Sequence, residues 1–203
     1  MEILILGGAV SLWAAIHSWL ASSRMKELAR RKLGDHTVRA YRLAYNVFSV
    51  VTLAPIALLM RALPDRPLYS VDMPWALVML GGQAISALLL ILALLQTDTL
   101  HFAGISQLLA GKPSSGMVTT GFYGLVRHPL YLFGLLILWL TPHMTVSVLT
   151  VYSVLTIYLF VGALLEERRL LQEFGAAYED YRAHTPMIIP AWGWRSRTRG
   201  TSG

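Results

Sequence analysis

Four ionisable side chains flank a pair of apolar segments in the C-terminal half of the chain. Arg127 and His128 precede the first apolar segment, and Glu166 and Glu167 follow the second. Together the two segments are long enough to form a membrane hairpin, so its charged ends should meet at one membrane surface. A site with basic and acidic groups beside a bilayer could handle a charged cofactor and an apolar substrate together.

Arg127 and His128 stand directly before Pro129, and proline is favoured at the first position of a helix. A helix that begins there points unpaired backbone N–H groups toward the cytoplasm beside both side chains, and this combination suits a carboxylate or a phosphate. The alternative is that Arg127 extends to lipid phosphates and His128 only caps the helix.

Glu166 and Glu167 are adjacent carboxylates at the end of an apolar helix, where charge is costly unless it is paired or solvated. On a helix they point about 100° apart, so they should serve different tasks. One is expected to face the hairpin interior and meet Arg127 or a cationic ligand. The other could pair with Arg168 or Arg169 on its own helix. Alternatively, both are solvated charges at the membrane interface.

Tyr178 and Tyr181 are three residues apart and share a face if their segment is helical. There they could stack on an aromatic ring or pack against Arg182. The alternative is that both tyrosines only anchor the chain at the membrane interface.

His17 and His101 are isolated histidines near the ends of apolar segments. No two histidines have the i, i+4 spacing of a helical metal site, and the chain contains no cysteine. We therefore expect no metal. Asp98 could bind a ribose or support His101, or it could be a hydrated residue at a helix end.

Membrane helices are the elements that must position these residues. Of the 203 residues, 55% are hydrophobic, and the mean hydropathy of +0.54 is too high for a soluble domain of this size. The sequence predicts one all-α membrane domain over residues 1–203 with about five transmembrane helices, near Ile3–Ala21, Leu43–Met60, Trp75–Leu95, Leu130–Thr141 and Thr145–Leu165.

Three further expectations concern the predicted hairpin. Its first helix reaches full length only if it begins near Pro129 and runs to Pro142. A tight turn over residues 141–143 should join the two helices. The apolar periodicity after Leu165 predicts that the second helix leaves the bilayer as a cytoplasmic amphipathic helix and ends near Gly175, a suitable C-cap.

The distribution of positive charge predicts the orientation of the protein. Fifteen of the seventeen Lys and Arg residues fall on one side if all five helices cross, and only Arg61 and Arg66 fall on the other. The positive-inside rule then places the N-terminus outside and the C-terminus in the cytoplasm, in what we expect to be a bacterial inner membrane. The net charge of +6 is better explained by contact with membrane lipids than by binding of nucleic acid.

The order of these motifs resembles that of the integral-membrane methyltransferases related to isoprenylcysteine carboxyl methyltransferase. The matching elements are Val126-Arg127-His128-Pro129-Leu130-Tyr131, Leu165-Glu166-Glu167-Arg168-Arg169-Leu170, Glu173-Phe174-Gly175, Tyr178, Tyr181 and Pro186-Met187-Ile188-Ile189-Pro190. The resemblance is strongest to the branch that contains the methanethiol S-methyltransferases and a denitrification-associated family. Phe133 departs from the pattern, because the family usually has glycine at that position.

The resemblance implies S-adenosylmethionine as the methyl donor, bound by residues in the region of about 98–190. Arg127 and His128 would hold the carboxylate of its methionine part, and Glu166 or Glu167 would contact the donor or position the acceptor. Tyr178 and Tyr181 would close the pocket. On this basis the catalytic residues are Glu166, Glu167 and Arg127, and the cofactor-binding residues are Tyr123, Val126, Arg127, His128, Pro129, Tyr131, Glu166, Tyr178 and Tyr181.

The acceptor implied by the resemblance is a small or lipophilic thiol. Three alternatives remain open at this point: carboxyl methylation of a prenylated cysteine, a reductase related to the sterol reductases, and an accessory membrane protein that keeps the fold without the chemistry. The chain has few predicted spans for a sterol reductase. The sequence does not predict the oligomeric state.

Overall fold

The computed structural model describes residues 1–33, 35–97 and 116–190. The described chain is helical apart from one two-stranded sheet. The helices are α1 (Glu2–Ala21), α2 (Ser23–Leu33), α3 (Asp35–Val51), α4 (Ala54–Ala62), α5 (Trp75–Gln96), α6 (Pro129–Trp139), α7 (Val146–Phe174) and α8 (Ala176–His184), with a short 3-10 helix at Gly121–Gly124 and strands β1 (Pro67–Ser70) and β2 (His143–Thr145).

Four stretches of the described chain are long and apolar enough to cross a membrane. They are Glu2–Ala21, Ala44–Ala62, Trp75–Gln96 and Val146–Phe174. Most of their large apolar side chains are exposed on the isolated chain, as expected for helices that face lipid instead of water. The predicted all-α membrane class is confirmed by these helices.

The second membrane stretch is made of two helices. α3 ends at Val51 and α4 begins at Ala54, with Pro55 in its first turn. Proline lacks a backbone N–H, and its ring would clash with the carbonyl of Val51 in a continuous helix. Thr52, at the break, accepts a 2.9 Å hydrogen bond from the indole N–H of Trp13 on α1. The sequence predicted one helix here, and the effect of Pro55 was missed.

α6 begins at Pro129, as predicted, but it ends at Trp139 and does not reach Pro142. Its 11 residues span about 16 Å, roughly half of a hydrocarbon core. α6 is therefore too short to cross a bilayer alone, and the count of five crossings stays a prediction.

The chain between α6 and α7 forms β2, where the sequence predicted only a tight turn. β2 pairs antiparallel with β1, with Pro67 opposite Thr145 and Ser70 opposite His143. The backbone N–H of Val71 also donates to the carbonyl of Pro142 over 2.9 Å. These bonds use backbone groups that would otherwise extend α6.

α7 is a 29-residue helix against which α1, α6 and α8 pack. The hydroxyl of Thr145 caps its first turn by accepting a hydrogen bond from the N–H of Val148 over 3.2 Å. At its other end Gly175 adopts φ +54°, a left-handed conformation that favours glycine. The end of this helix near Gly175 was predicted from the sequence.

The start of the site-bearing segment depends on close packing against α5. Gly121 has φ +63°, and the side-chain oxygen of Gln96 accepts a 3.0 Å hydrogen bond from the N–H of Phe122. A Cβ atom at Gly121 would lie 2.6 Å from the side-chain nitrogen and oxygen of Gln96. The hydrogen bond between Phe122 and Gln96 thereby holds the start of this segment against the end of α5.

We expect Gly121→Ala to destabilise the protein, because alanine is strained at φ +63° and would displace Gln96. A cost of about 1–2 kcal/mol corresponds to a fall in Tm of about 2–8 °C, measurable by thermal unfolding in detergent. Gly134→Ala is the matched control, because its Cβ would meet no atom within 4 Å and alanine favours a helix. Equal Tm values for the two variants would contradict this account of Gly121.

Candidate functional site

A buried ion pair joins the two ends of the α6–α7 hairpin. Nε of Arg127, just before α6, lies 2.6 Å from Oε1 of Glu167 on α7. Each side chain is only 8% exposed. Residues 40 positions apart therefore meet at one end of the hairpin, as the sequence predicted.

The end of α8 and the segment that follows it close over this ion pair. Nη1 of Arg127 donates to the carbonyl oxygens of Arg182 and Thr185, over 2.9 and 2.5 Å. The backbone N–H groups of Arg127 and His128 donate to the carbonyls of Pro186 and Met187. We call residues 182–187 the C-terminal strap. The strap therefore occupies the N–H of His128, at the start of α6, which was expected to be free for an anion.

His128 lies between the two carboxylates. Its Nε2 is 3.2 Å from Oε1 of Glu167, and its Nδ1 is 3.7 Å from Oε2 of Glu166. The imidazole stacks on the ring of Tyr131, with centroids 5.3 Å apart. Glu166 and Glu167 point in different directions, as expected, but both contact the same imidazole.

Glu166 and Glu167 occupy different environments. Glu167 is buried, and Nε of Arg182 approaches its second oxygen to 3.7 Å. The Glu166 side chain is 40% exposed and accepts a 3.0 Å hydrogen bond from the hydroxyl of Tyr131. Among the described residues, neither carboxylate forms an ion pair with Arg168 or Arg169, so the expected pairing on their own helix is not observed.

Three tyrosines border the ion pair on the side of α8. The hydroxyl of Tyr181 donates to the backbone carbonyl of Tyr123 over 2.6 Å, and the rings of Tyr178 and Tyr181 meet edge to face at 5.9 Å. Burial raises the pKa values of Tyr123 and Tyr181 to about 12.

Tyr178 is 1% exposed, and its hydroxyl has no hydrogen-bond partner among the described residues. Burial, together with the nearby negative charge of Glu167, raises its pKa. A buried hydroxyl without a partner is costly, and the carboxylate of Glu167 is the acceptor nearby.

The other residues expected at the site divide into two groups. Val126 and Pro129 are buried, where they position the neighbouring Arg127 and His128. Asp98 and His101 lie outside the described residues, as does the rest of 98–115. No group of three or more His, Cys, Asp or Glu side chains within the described chain could hold a metal ion.

His17 stands apart from the other histidines in sequence, but it has hydrogen-bonding partners on another helix. Its ring nitrogens contact the hydroxyls of Tyr45 and Ser49, which belong to α3. The spacing of Tyr45 and Ser49, four residues apart on one predicted helix, was the available signal. It did not specify that α1 would be the neighbour.

Comparisons with known proteins find several methanethiol S-methyltransferases. A methanethiol S-methyltransferase from Pseudomonas deceptionensis is 30% identical over 197 residues, which cover 90% of this chain and 70% of that protein. Methanethiol S-methyltransferase 1 from Bradyrhizobium diazoefficiens is 32% identical, with 92% of this chain and 65% of that protein covered. A methanethiol S-methyltransferase from Crocosphaera subtropica is 49% identical over 78 residues, 38% of this chain and 31% of that protein.

The apolar helices and the names of these relatives define a class of membrane methyltransferases. Within this class, the chain belongs to the methanethiol S-methyltransferase family. No protein-family model and no solved structure matches the chain.

We expect Arg127→Met to lower the free energy of unfolding by about 3–5 kcal/mol, because it leaves the buried carboxylate of Glu167 without its closest partner. Thermal and denaturant unfolding in detergent measure the loss. Combining Arg127→Met with Glu167→Leu should restore part of the stability, since no carboxylate then remains buried at position 167.

The control for this variant is Glu27→Gln, which removes the exposed pairs of Glu27 with Arg30 and Arg31 on α2. Exposed pairs of that kind contribute little to stability, because solvent and salt screen them. If Arg127→Met were no more destabilising than Glu27→Gln, the buried pair would not stabilise the hairpin.

Proposed function

We propose that this protein transfers a methyl group from S-adenosylmethionine to a small or lipophilic thiol at the cytoplasmic face of a bacterial inner membrane. The observation that carries the proposal is the half-exposed Glu166 carboxylate beside the buried ion pair of Arg127 and Glu167. Membership of the methanethiol S-methyltransferase family supports the reaction type.

The residues at the hairpin end have the charge and the aromatic rings that this cofactor requires of a binding site. S-adenosylmethionine supplies a methyl group bonded to a positively charged sulfur, and it also carries an ammonium group. Glu166 offers a partly solvated carboxylate for positive charge, and Tyr178 offers a buried hydroxyl without a described partner. The stacked rings of His128 and Tyr131 provide a flat aromatic border.

The proposal divides the tasks between the two glutamates. Glu166 binds the cationic part of the donor. Glu167 and Arg127 position His128 and the C-terminal strap, because their charged groups are already bonded to each other. A ligand carboxylate beside His128 would face repulsion from both glutamates, so we assign the methionine carboxylate to a position away from them.

Catalysis in this proposal depends on alignment. Tyr123, Tyr178 and Tyr181 border the site and restrict water, and the rigid hairpin end holds the donor against the acceptor. Correct placement of two reactants can lower a barrier by several kcal/mol without further chemistry from the protein.

Binding of S-adenosylhomocysteine, measured by titration calorimetry on the detergent-purified protein, tests the proposal. We expect micromolar affinity, and a loss of at least about tenfold in Glu166→Gln, because this variant loses the charge-assisted contact with the ammonium group, which S-adenosylhomocysteine shares with the donor. Glu173→Gln, also on α7 and exposed, should bind like the wild type.

Two other results would redirect the assignment. A folded wild-type protein without affinity for S-adenosylhomocysteine would favour an accessory membrane protein. Binding combined with methylation of prenylated cysteine carboxylates but not of thiols would favour the carboxyl methyltransferase.

The proposed orientation is tested separately by reporter fusions. A reporter fused after Pro190 should be active only if it is a cytoplasmic reporter, because most Lys and Arg residues lie on the same side of the membrane as Pro190. A reporter inserted after Asp65 should be active only if it is a periplasmic reporter. The opposite pattern would place the site at the outer face, where S-adenosylmethionine is not made.

A further inference from the structure

Gly162 lies inside α7, one helical turn before Glu166, in a helix long and apolar enough to cross a membrane. Glycine in a helix interior is less stable than alanine, because it loses more conformational freedom on folding. A glycine at such a position is explained either by a neighbour that must pack closely or by a space that must stay open. The contacts of Gly162 show which explanation applies.

Close packing does not explain Gly162. A Cβ atom there would lie 3.8 Å from the hydroxyl oxygen of Tyr131, an ordinary contact distance. Outside α7 itself, it would meet no other atom of the described chain within 4 Å. Gly82 on α5 is different, because a Cβ atom there would lie 2.9 Å from the side chain of Leu140. A neighbour disfavours a side chain at Gly82, whereas the position next to Gly162 has room for one.

The space beside Gly162 adjoins both the proposed donor site and the lipid. The Tyr131 hydroxyl that borders this space donates a 3.0 Å hydrogen bond to Glu166, the carboxylate assigned to the cationic part of the donor. Neighbours on a helix point about 100° apart. Gly162 therefore lies between the side of α7 that carries Ala163, which is 0% exposed, and the side that carries Val161, which is 48% exposed. A molecule dissolved in the bilayer can reach this border without crossing the protein.

The separation of Gly162 from Glu166 suits an in-line displacement. Residues four apart on a helix are about 6 Å apart along its axis. The attacking atom approaches the methyl carbon to about 3–3.5 Å, so the donor and acceptor sulfurs are about 5 Å apart once the carbon–sulfur bond of the donor is added. A donor sulfur at the level of Glu166 therefore places an acceptor sulfur on the membrane side of it at about the level of Gly162.

We propose that the acceptor, an alkanethiol that enters from the bilayer, binds against Gly162 beside Tyr131, and that the missing side chain at position 162 sets the size of the acceptor. This inference rests on the proposed methyltransferase function. It adds to that function an acceptor-binding site and a residue that determines specificity.

The reaction at this site balances with solvent as the proton acceptor. The S–H bond of the thiol breaks, and its proton goes to solvent water. The sulfur keeps the electron pair and forms a bond to the methyl carbon. The carbon–sulfur bond of the donor breaks, and its electrons remain on the donor sulfur, which becomes neutral. Gly162 takes no part in these bonds, and its contribution is the space in which the acceptor sulfur approaches.

The test compares methanethiol and butanethiol as acceptors in the wild type and in Gly162→Ala. The two thiols have similar acidity, so the ratio of their kcat/KM values reports acceptor size. Alanine adds one methyl group to the proposed site, so we expect the ratio of butanethiol to methanethiol to fall by about tenfold or more. Affinity for S-adenosylhomocysteine should change by less than about threefold, because Glu166 is retained. Gly162→Ser, with a side chain of similar size, should show the same selectivity.

Gly81→Ala is the matched control, because Gly81 is also inside a membrane helix, α5, and a Cβ atom there would meet nothing within 4 Å. It should leave the ratio of the two thiols unchanged. Both alanine variants should raise the Tm in detergent by about 1–4 °C, because alanine favours a helix and fits at both positions. The thermal measurement needs neither the cofactor nor turnover.

Three results for Gly162→Ala would each overturn the inference. A lower Tm than the wild type would mean that packing requires glycine at this position. An unchanged ratio of the two thiols would mean that the acceptor binds elsewhere, and a loss of affinity for S-adenosylhomocysteine would place the donor against Gly162. Wild-type protein that binds no S-adenosylhomocysteine and methylates neither thiol would overturn the proposed function itself, whereas binding and turnover with an unchanged ratio in the variant would overturn only this inference.

Discussion

The buried pair of Arg127 and Glu167 is the interaction on which the hairpin end depends. Two charges with 8% exposed side chains are tolerable only when each is paired and hydrogen-bonded. Arg127 meets this requirement with Glu167 and with carbonyls of the C-terminal strap. Three separate parts of the chain must therefore come together before either charge can be buried, which fixes their relative positions.

The same constraint gives adjacent glutamates unequal environments. Glu167 is enclosed by Arg127, His128 and Arg182, whereas Glu166 keeps 40% of its side chain exposed. Adjacent side chains on a helix point about 100° apart, so Glu167 points into the protein while Glu166 points toward the accessible surface. A rigid anion next to an accessible anion suits a site that must hold a cationic ligand in one orientation.

Local chemistry made part of this structure predictable. Pro129 and Gly175 have restricted or unusual backbone preferences, so they indicated where α6 begins and where α7 ends. The meeting of Arg127 with the glutamates followed from the lengths of the two apolar segments. These predictions needed only the residues at the positions concerned.

Other features depend on partners that no local pattern specifies. β1 and β2 pair across 78 residues of sequence, from Pro67 to Thr145. The C-terminal strap bonds through backbone carbonyls, which every residue has. The hydrogen-bonding partners of His17 lie on α3, and neither they nor the helix break at Pro55 were anticipated.

The central claim is that the hairpin end binds the methyl donor. An experimental structure with S-adenosylhomocysteine bound tests it most directly. We predict the ligand within hydrogen-bonding distance of Glu166, with the pair of Arg127 and Glu167 intact beneath it. Ligand bound away from Glu166, or an Arg127 that leaves Glu167 to hold the ligand, would contradict the account.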